Sequence, residues 1–192
     1  MLISEKHKFV FCHLPKTGGS TIRKLLNKHG YIPKNNHGTS THSNLKFALD
    51  YLGSDKFINY FKFGSILNPW ALEVSRYFYI RKSHKHQRHS WADELDFNSF
   101  VNKFAENCGP SMNFDHFRID GEIKLDFVIK LENFQEDFNN VCDKIGIPQQ
   151  QLPHKNKSKH KHYTEYYNDE TRQIVAENYA KDIEYFGYEF GK

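Results

Sequence analysis

The chain has 192 residues, enough for one domain with a sizeable core, and its 16% aromatic content excludes a disordered chain. No long apolar segment occurs, in the opening MLISEKHKFV or later, so neither a signal peptide nor a membrane span is expected. A net charge of +4 suits an anionic ligand but does not argue for nucleic acid, and an odd, sparse set of three cysteines fits a reducing, cytoplasmic setting.

The apolar run Lys8–Cys12 predicts a strand over 7–13, and 20–29 reads as a helix closed by Gly30. Cys12 lies in that strand and reads as core. A short strand is expected at 38–42, a helix at 43–52, and a shorter helix at 54–60. Phe61–Leu67 reads as a strand that Asn68-Pro69 breaks, with Pro69 suited to the first turn of a helix over 70–82. The charged, His-rich stretch 83–96 reads as a loop. A helix follows from Phe97 and ends at Gly109-Pro110. Asp120-Gly121 signals a hairpin, and Leu125–Leu131 is apolar enough for a central strand. A helix over 134–145, a basic loop over 148–163 and one closing helix over 171–186 complete the chain. Strands alternating with helices predict an α/β fold with a mainly parallel sheet, in one domain spanning 1–192.

Strand, glycine-containing turn and helix in that order make an anion cradle at HLPKTGGST, residues 13–21. The first N–H groups of the helix lack backbone partners, and the helix dipole adds positive potential. Gly18 and Gly19 let the backbone approach a phosphate, Lys16 adds a charge, and Ser20 and Thr21 add hydroxyls. The order is not that of a Walker A loop, in which Lys follows the second glycine; here Lys16 precedes both. A nucleotide kinase is a weak alternative for that reason.

PKTGGST resembles the 5′-phosphosulfate loop of sulfotransferases that use 3′-phosphoadenosine 5′-phosphosulfate (PAPS). SILNPWALEVSRYFY resembles the 3′-phosphate motif of the carbohydrate sulfotransferase group, and LDFVIKLENFQEDF, LPHKNKSKHKHY and DIEYFGYEF look like soluble bacterial members. The resemblance implies a three-layer, P-loop-like fold with a central sheet flanked by helices. It also implies a transfer from PAPS, leaving 3′-phosphoadenosine 5′-phosphate (PAP), to a carbohydrate or other small hydroxylated acceptor. Pro15, Lys16, Thr17, Gly18, Gly19, Ser20 and Thr21 would hold the 5′-phosphate, Ser75 the 3′-phosphate, and Lys157, Ser158 and Tyr163 would belong to a flap over the nucleotide. One departure stands out. The family's usual Arg before the NPW triplet is Leu67 here, which can neither donate a hydrogen bond nor carry charge. Arg76, Arg81 or a lysine of 155–161 is a candidate replacement; a catalytically silent nucleotide-binding relative is the alternative.

Sulfuryl transfer needs charge stabilisation and a base for the acceptor hydroxyl. Lys16 suits the leaving oxygen. His42, between a polar loop and an amphipathic helix, suits the base, with Glu73 and Glu132 as weaker candidates and His13 as support for the loop. No metal is expected. The groups His84, His86, His89 and His154, His160, His162 have no cysteine or carboxylate to complete a site, and intervening lysines repel a cation.

Overall fold

The computed structural model describes residues 1–35, 38–39, 41–108, 113–153 and 160–192. The chain forms two compact units, Met1–Leu67 with Asn113–Pro153, and Asn68–Met112 with His154–Lys192. In chain order the elements are β1 (Leu2–Ser4), β2 (Phe9–Cys12), α1 (Gly19–Leu26), β3 (Lys34–Asn35), β4 (Gly38–Thr39), α2 (Leu45–Leu52), α3 (Ser54–Ile58) and β5 (Phe61–Ile66). Then come α4 (Pro69–Lys82), α5 (His89–Glu94), α6 (Phe97–Cys108), α7 (Asn113–His116), β6 (Arg118–Ile119), β7 (Glu122–Ile123), β8 (Phe127–Lys130), α8 (Phe134–Lys144), α9 (Asp169–Asn178) and α10 (Ala180–Phe186).

The first unit is a mixed α/β layer structure. Its sheet has the order β1-β2-β5-β8, with β2, β5 and β8 parallel and β1 antiparallel at one edge. Side chains alternate across a strand, so the sheet feeds two cores. Leu2, Phe9, Phe11, Phe63 and Ile129 pack with Ile22 and Leu26 of α1 and Phe138 and Val141 of α8. Ile3 and Val10 point the other way, toward Leu45 and Ala48 of α2 and Phe57 of α3. Ile22 and Leu26 are fully buried, each worth about 1.5–3 kcal/mol. They fix α1, and with it the turn that precedes α1.

Several expectations change. Leu2–Ser4 gave no strand signal, yet it pairs with β2 in register Leu2↔Phe11. A three-residue strand has no periodicity to read; its pairing is decided by burial of Leu2 and Ile3 on opposite faces. The Leu125–Leu131 run forms an edge strand, not a central one, because β8 pairs only with β5 within the sheet order. The region expected as a strand over 38–42 is half of a small β3–β4 hairpin. The Asp120-Gly121 hairpin is present, with both residues at positive φ.

The second unit is helical. Asn68 caps α4 by accepting from the Trp70 N–H, with Pro69 in the first turn as expected. The His-rich stretch 83–96 is not all loop: α5 lies within it, with Ala92 buried and Trp91 under the cations of Arg88 and Lys103. The single closing helix is two. Tyr179 interrupts it, leaving helical geometry (φ −114°, ψ 20°) while its ring is fully buried. The expected stop at Gly109-Pro110 and residues 154–159 of the basic loop, including Lys155, Lys157 and Ser158, lie outside the described residues. Among the described residues no helix is long and apolar enough to cross a membrane.

Candidate active site

The turn between β2 and α1 stands at the carboxyl edge of the parallel strands, where open α/β sheets bind ligands. Lys16 has φ +66° and Gly18 φ +72°. The left-handed conformation at Lys16 costs about 1–3 kcal/mol, so tertiary contacts must hold the turn. Thr17 provides them. Fully buried, its hydroxyl donates to the Leu14 carbonyl at 3.0 Å and meets the Ser65 hydroxyl of β5 at 3.0 Å. The Thr17 side chain therefore anchors the loop, and only its backbone is left for a ligand.

Each glycine has its own reason. At Gly18 the positive φ favours glycine, and a Cβ would lie 2.9 Å from Cζ of Phe134 at the start of α8. At Gly19 the reason is space: a Cβ would fall within the His13 ring, 2.5 Å from Nε2. Helix α1 then begins without a side-chain cap and without an acidic residue in its first turn. Thr21 and Ile22 donate back to the Gly18 carbonyl; Gly19 and Ser20 precede the first intrahelical bond. Pro15 and Ser20 are exposed, and Lys16 and Thr21 are half-buried. Burial lowers the Lys16 pKa from its usual 10.5. These features fit a phosphate-sized anion: uncapped N–H groups, a lysine, and no carboxylate in the turn to compete.

His42 follows the segment after β4. Its Nδ1 lies 3.1 Å from the backbone oxygen of His13, so Nδ1 carries the proton and Nε2 carries the lone pair. The ring is exposed on one side and rests against His13 on the other, with centroids 4.4 Å apart. That partial desolvation lowers its pKa below 6.5, and Arg23 and His116 act in the same direction, against the hydrogen bond to His13. His116 Nε2 reaches the His42 carbonyl at 3.3 Å. Cys12 is fully buried and its thiol is pushed up to about 12 by burial, which leaves it inert.

The whole chain now has a family to stand beside these features. The model described as "Sulfotransferase family" matches residues 1–189. The chain belongs to the sulfotransferase family. An uncharacterized protein of Archaeoglobus fulgidus is 30% identical over 101 residues, which cover 52% of this chain and 78% of that protein. No solved structure matches.

The other expected residues of this sulfotransferase fall in the second unit. Ser75 is half-buried on α4. Tyr163 is 8% exposed; its hydroxyl accepts from the Gly191 N–H at 2.7 Å, and its ring meets Phe190 edge-on. Arg76, considered as a substitute for the missing arginine, is held internally: it pairs with buried Glu73 and donates to the Tyr179 hydroxyl at 3.1 Å. Burial opposes its charge, but Glu73 and Tyr179 outweigh burial and hold the guanidinium charged. Glu73, also bonded by Tyr179, is equally unsuited to be a base. Arg81 leans on Tyr77, donating to its hydroxyl at 3.4 Å. Among the described residues no cluster of three His, Cys, Asp or Glu could hold a metal.

Ser65 and Phe134, which fix the turn, were not singled out in the sequence. Ser65 did leave a signal, a lone hydroxyl inside an apolar strand; Phe134 reads from the sequence only as part of the apolar face of the 134–145 helix, since its contact with the turn depends on how α8 packs.

Proposed function

We propose that the protein is a PAPS-dependent sulfotransferase that moves a sulfuryl group to a hydroxyl of a carbohydrate or other small acceptor, on a P-loop-like turn. The observation that carries this reading is the uncapped, acid-free first turn of α1 beside Lys16, with the neutral Nε2 of His42 anchored to the same loop through the His13 carbonyl.

The roles follow from the chemistry. The N–H groups of Gly19 and Ser20 and the hydroxyls of Ser20 and Thr21 hold the 5′-phosphate. His42 Nε2 takes the acceptor's proton as the acceptor oxygen bonds to sulfur. The bond from sulfur to the bridging phosphate oxygen breaks, its electron pair stays on that oxygen, and Lys16 neutralises the charge. Fixed donors and Lys16 supply the positive field. Ser75, Lys157, Ser158 and Tyr163 are proposed for the 3′-phosphate and adenosine on the motifs alone. The free thiols Cys12, Cys108 and Cys142 support a reducing, cytoplasmic setting.

A second reading, a silent nucleotide-binding relative, is favoured by one observation. Leu67 brings no charge, and Arg76 is committed to Glu73. Calorimetric titration with PAP and with Mg·ATP, beside a sulfate-transfer assay on a panel of sugars, separates the readings. PAP binding with transfer supports the enzyme. PAP binding with no transfer on any acceptor supports the silent relative. Binding of Mg·ATP in preference to PAP overturns both.

A further inference from the structure

We propose that His13 is a neutral hydrogen-bond donor of the anion cradle, presenting Nε2–H to the phosphosulfate oxygens beside Gly19. This rests on the sulfotransferase reading above and gives the His13 side chain a role that reading does not use.

The ring leaves β2 directly into the turn and is 3% exposed. It lies nearly parallel to the Phe11 ring, at 14° with centroids 5.9 Å apart, and is tilted against His42. One edge of the imidazole, Cδ2 and Nε2, covers Gly19 so closely that no Cβ fits between them. Nε2 therefore stands at the first turn of α1, next to the N–H groups assigned to the phosphate. The opposite edge carries Nδ1, which is buried with no hydrogen-bond partner among the described residues.

That asymmetry assigns the proton. A neutral imidazole has one N–H and one lone pair. Orphaned buried N–H groups are rarer than under-satisfied acceptors, so the lone pair belongs on Nδ1 and the proton on Nε2. The ring stays neutral: burial first, then the neighbouring His42 and Arg23, lower its pKa to about 3. His13 thus cannot compete with His42 for the acceptor's proton. It is a fixed dipole whose donor end faces the place where charge moves, and it needs no reorganisation as the bond to sulfur stretches. Gly19 is then explained twice, as the first residue of the helix and as the gap through which the donor reaches.

Two-bond 1H–15N spectra of the full chain read the tautomer directly. The expected result is an Nε2–H tautomer at neutral pH and an Nε2 resonance that moves when PAP is added to saturation, measured by calorimetry. An Nδ1–H tautomer, or an Nε2 signal unmoved at saturation, overturns the proposal while leaving the sulfotransferase reading intact. A wild-type chain that binds no PAP overturns both. His13→Phe keeps a ring without a donor, and His13→Gln restores an N–H. The first is expected to lower kcat per folded molecule on the order of a hundredfold, and the second to recover part of it. Wild-type kcat and KM in His13→Phe would also overturn the proposal. Should His13→Phe not fold, the tautomer and the PAP shift decide.

Discussion

Each unit buries a polar cluster, and the two clusters are built on opposite plans. In the second unit the Glu73 carboxylate takes bonds from Arg76 and Tyr179, and Arg76 also donates to Tyr179. The donors and the charge face inward, toward each other. In the first unit Thr17 and Ser65 satisfy one another and hold the turn, while Lys16 and the first-turn N–H groups are arranged around an uncapped helix start. A buried charge pair that neutralises itself is architecture. A buried hydroxyl pair that stiffens a strained loop beneath an uncapped helix start is the support of a candidate site.

The sharpest break between the two is expected from single substitutions. Arg76→Ala leaves Glu73 buried without its counter-charge and should cost about 3–5 kcal/mol of stability, read by denaturant unfolding, with turnover per folded molecule unchanged. Lys16→Ala should do the reverse: unfolding unchanged, kcat down on the order of a hundred- to a thousandfold, PAP affinity reduced far less. Unchanged turnover would remove Lys16 from the mechanism. Gly19→Ala drives a methyl into the His13 ring and should cost about 1–3 kcal/mol of stability, with a weaker PAP complex by calorimetry.

The smallest effect sharpens the comparison by pH. His42 acts as a base only when neutral, and its pKa is lowered from 6.5. Turnover should therefore be flat near neutrality and fall in acid, below 6.5, as His42 gains a proton. Because the Lys16 pKa is lowered from 10.5, turnover should fall again in alkali before an ordinary lysine would titrate. His42→Gln should remove the acid limb. Stability carries a separate signature. His13 binds its proton more weakly folded than unfolded, so its contribution to stability should be level above pH 6.5 and decline below it, and His13→Phe should lessen the acid decline.

Local chemistry was legible wherever neighbours in sequence are also neighbours in space. The strand, turn and helix around residues 13–21, the Asn68 cap with Pro69, and the Asp120-Gly121 hairpin all lie where the residues themselves require them. Long-range pairing was not legible. The β1 edge strand, the edge position of β8, the α5 helix inside a His-rich stretch and the interruption at Tyr179 each depend on what a distant segment buries. Arg76 shows the same limit within the candidate site. Its type suits a phosphate, but its partners, three residues before it and 103 residues after it, commit it elsewhere.

By itself, the sequence determined the strand, turn and helix around residues 13–21 and the family, because glycine spacing, Lys16 and the motifs act through local backbone geometry. Only the tertiary structure decided which groups are already satisfied. It gave Thr17 to Ser65, Arg76 to Glu73, and the Nδ1 proton of His42 to the His13 carbonyl, since hydrogen-bond partners are set by packing across the chain and not by order along it.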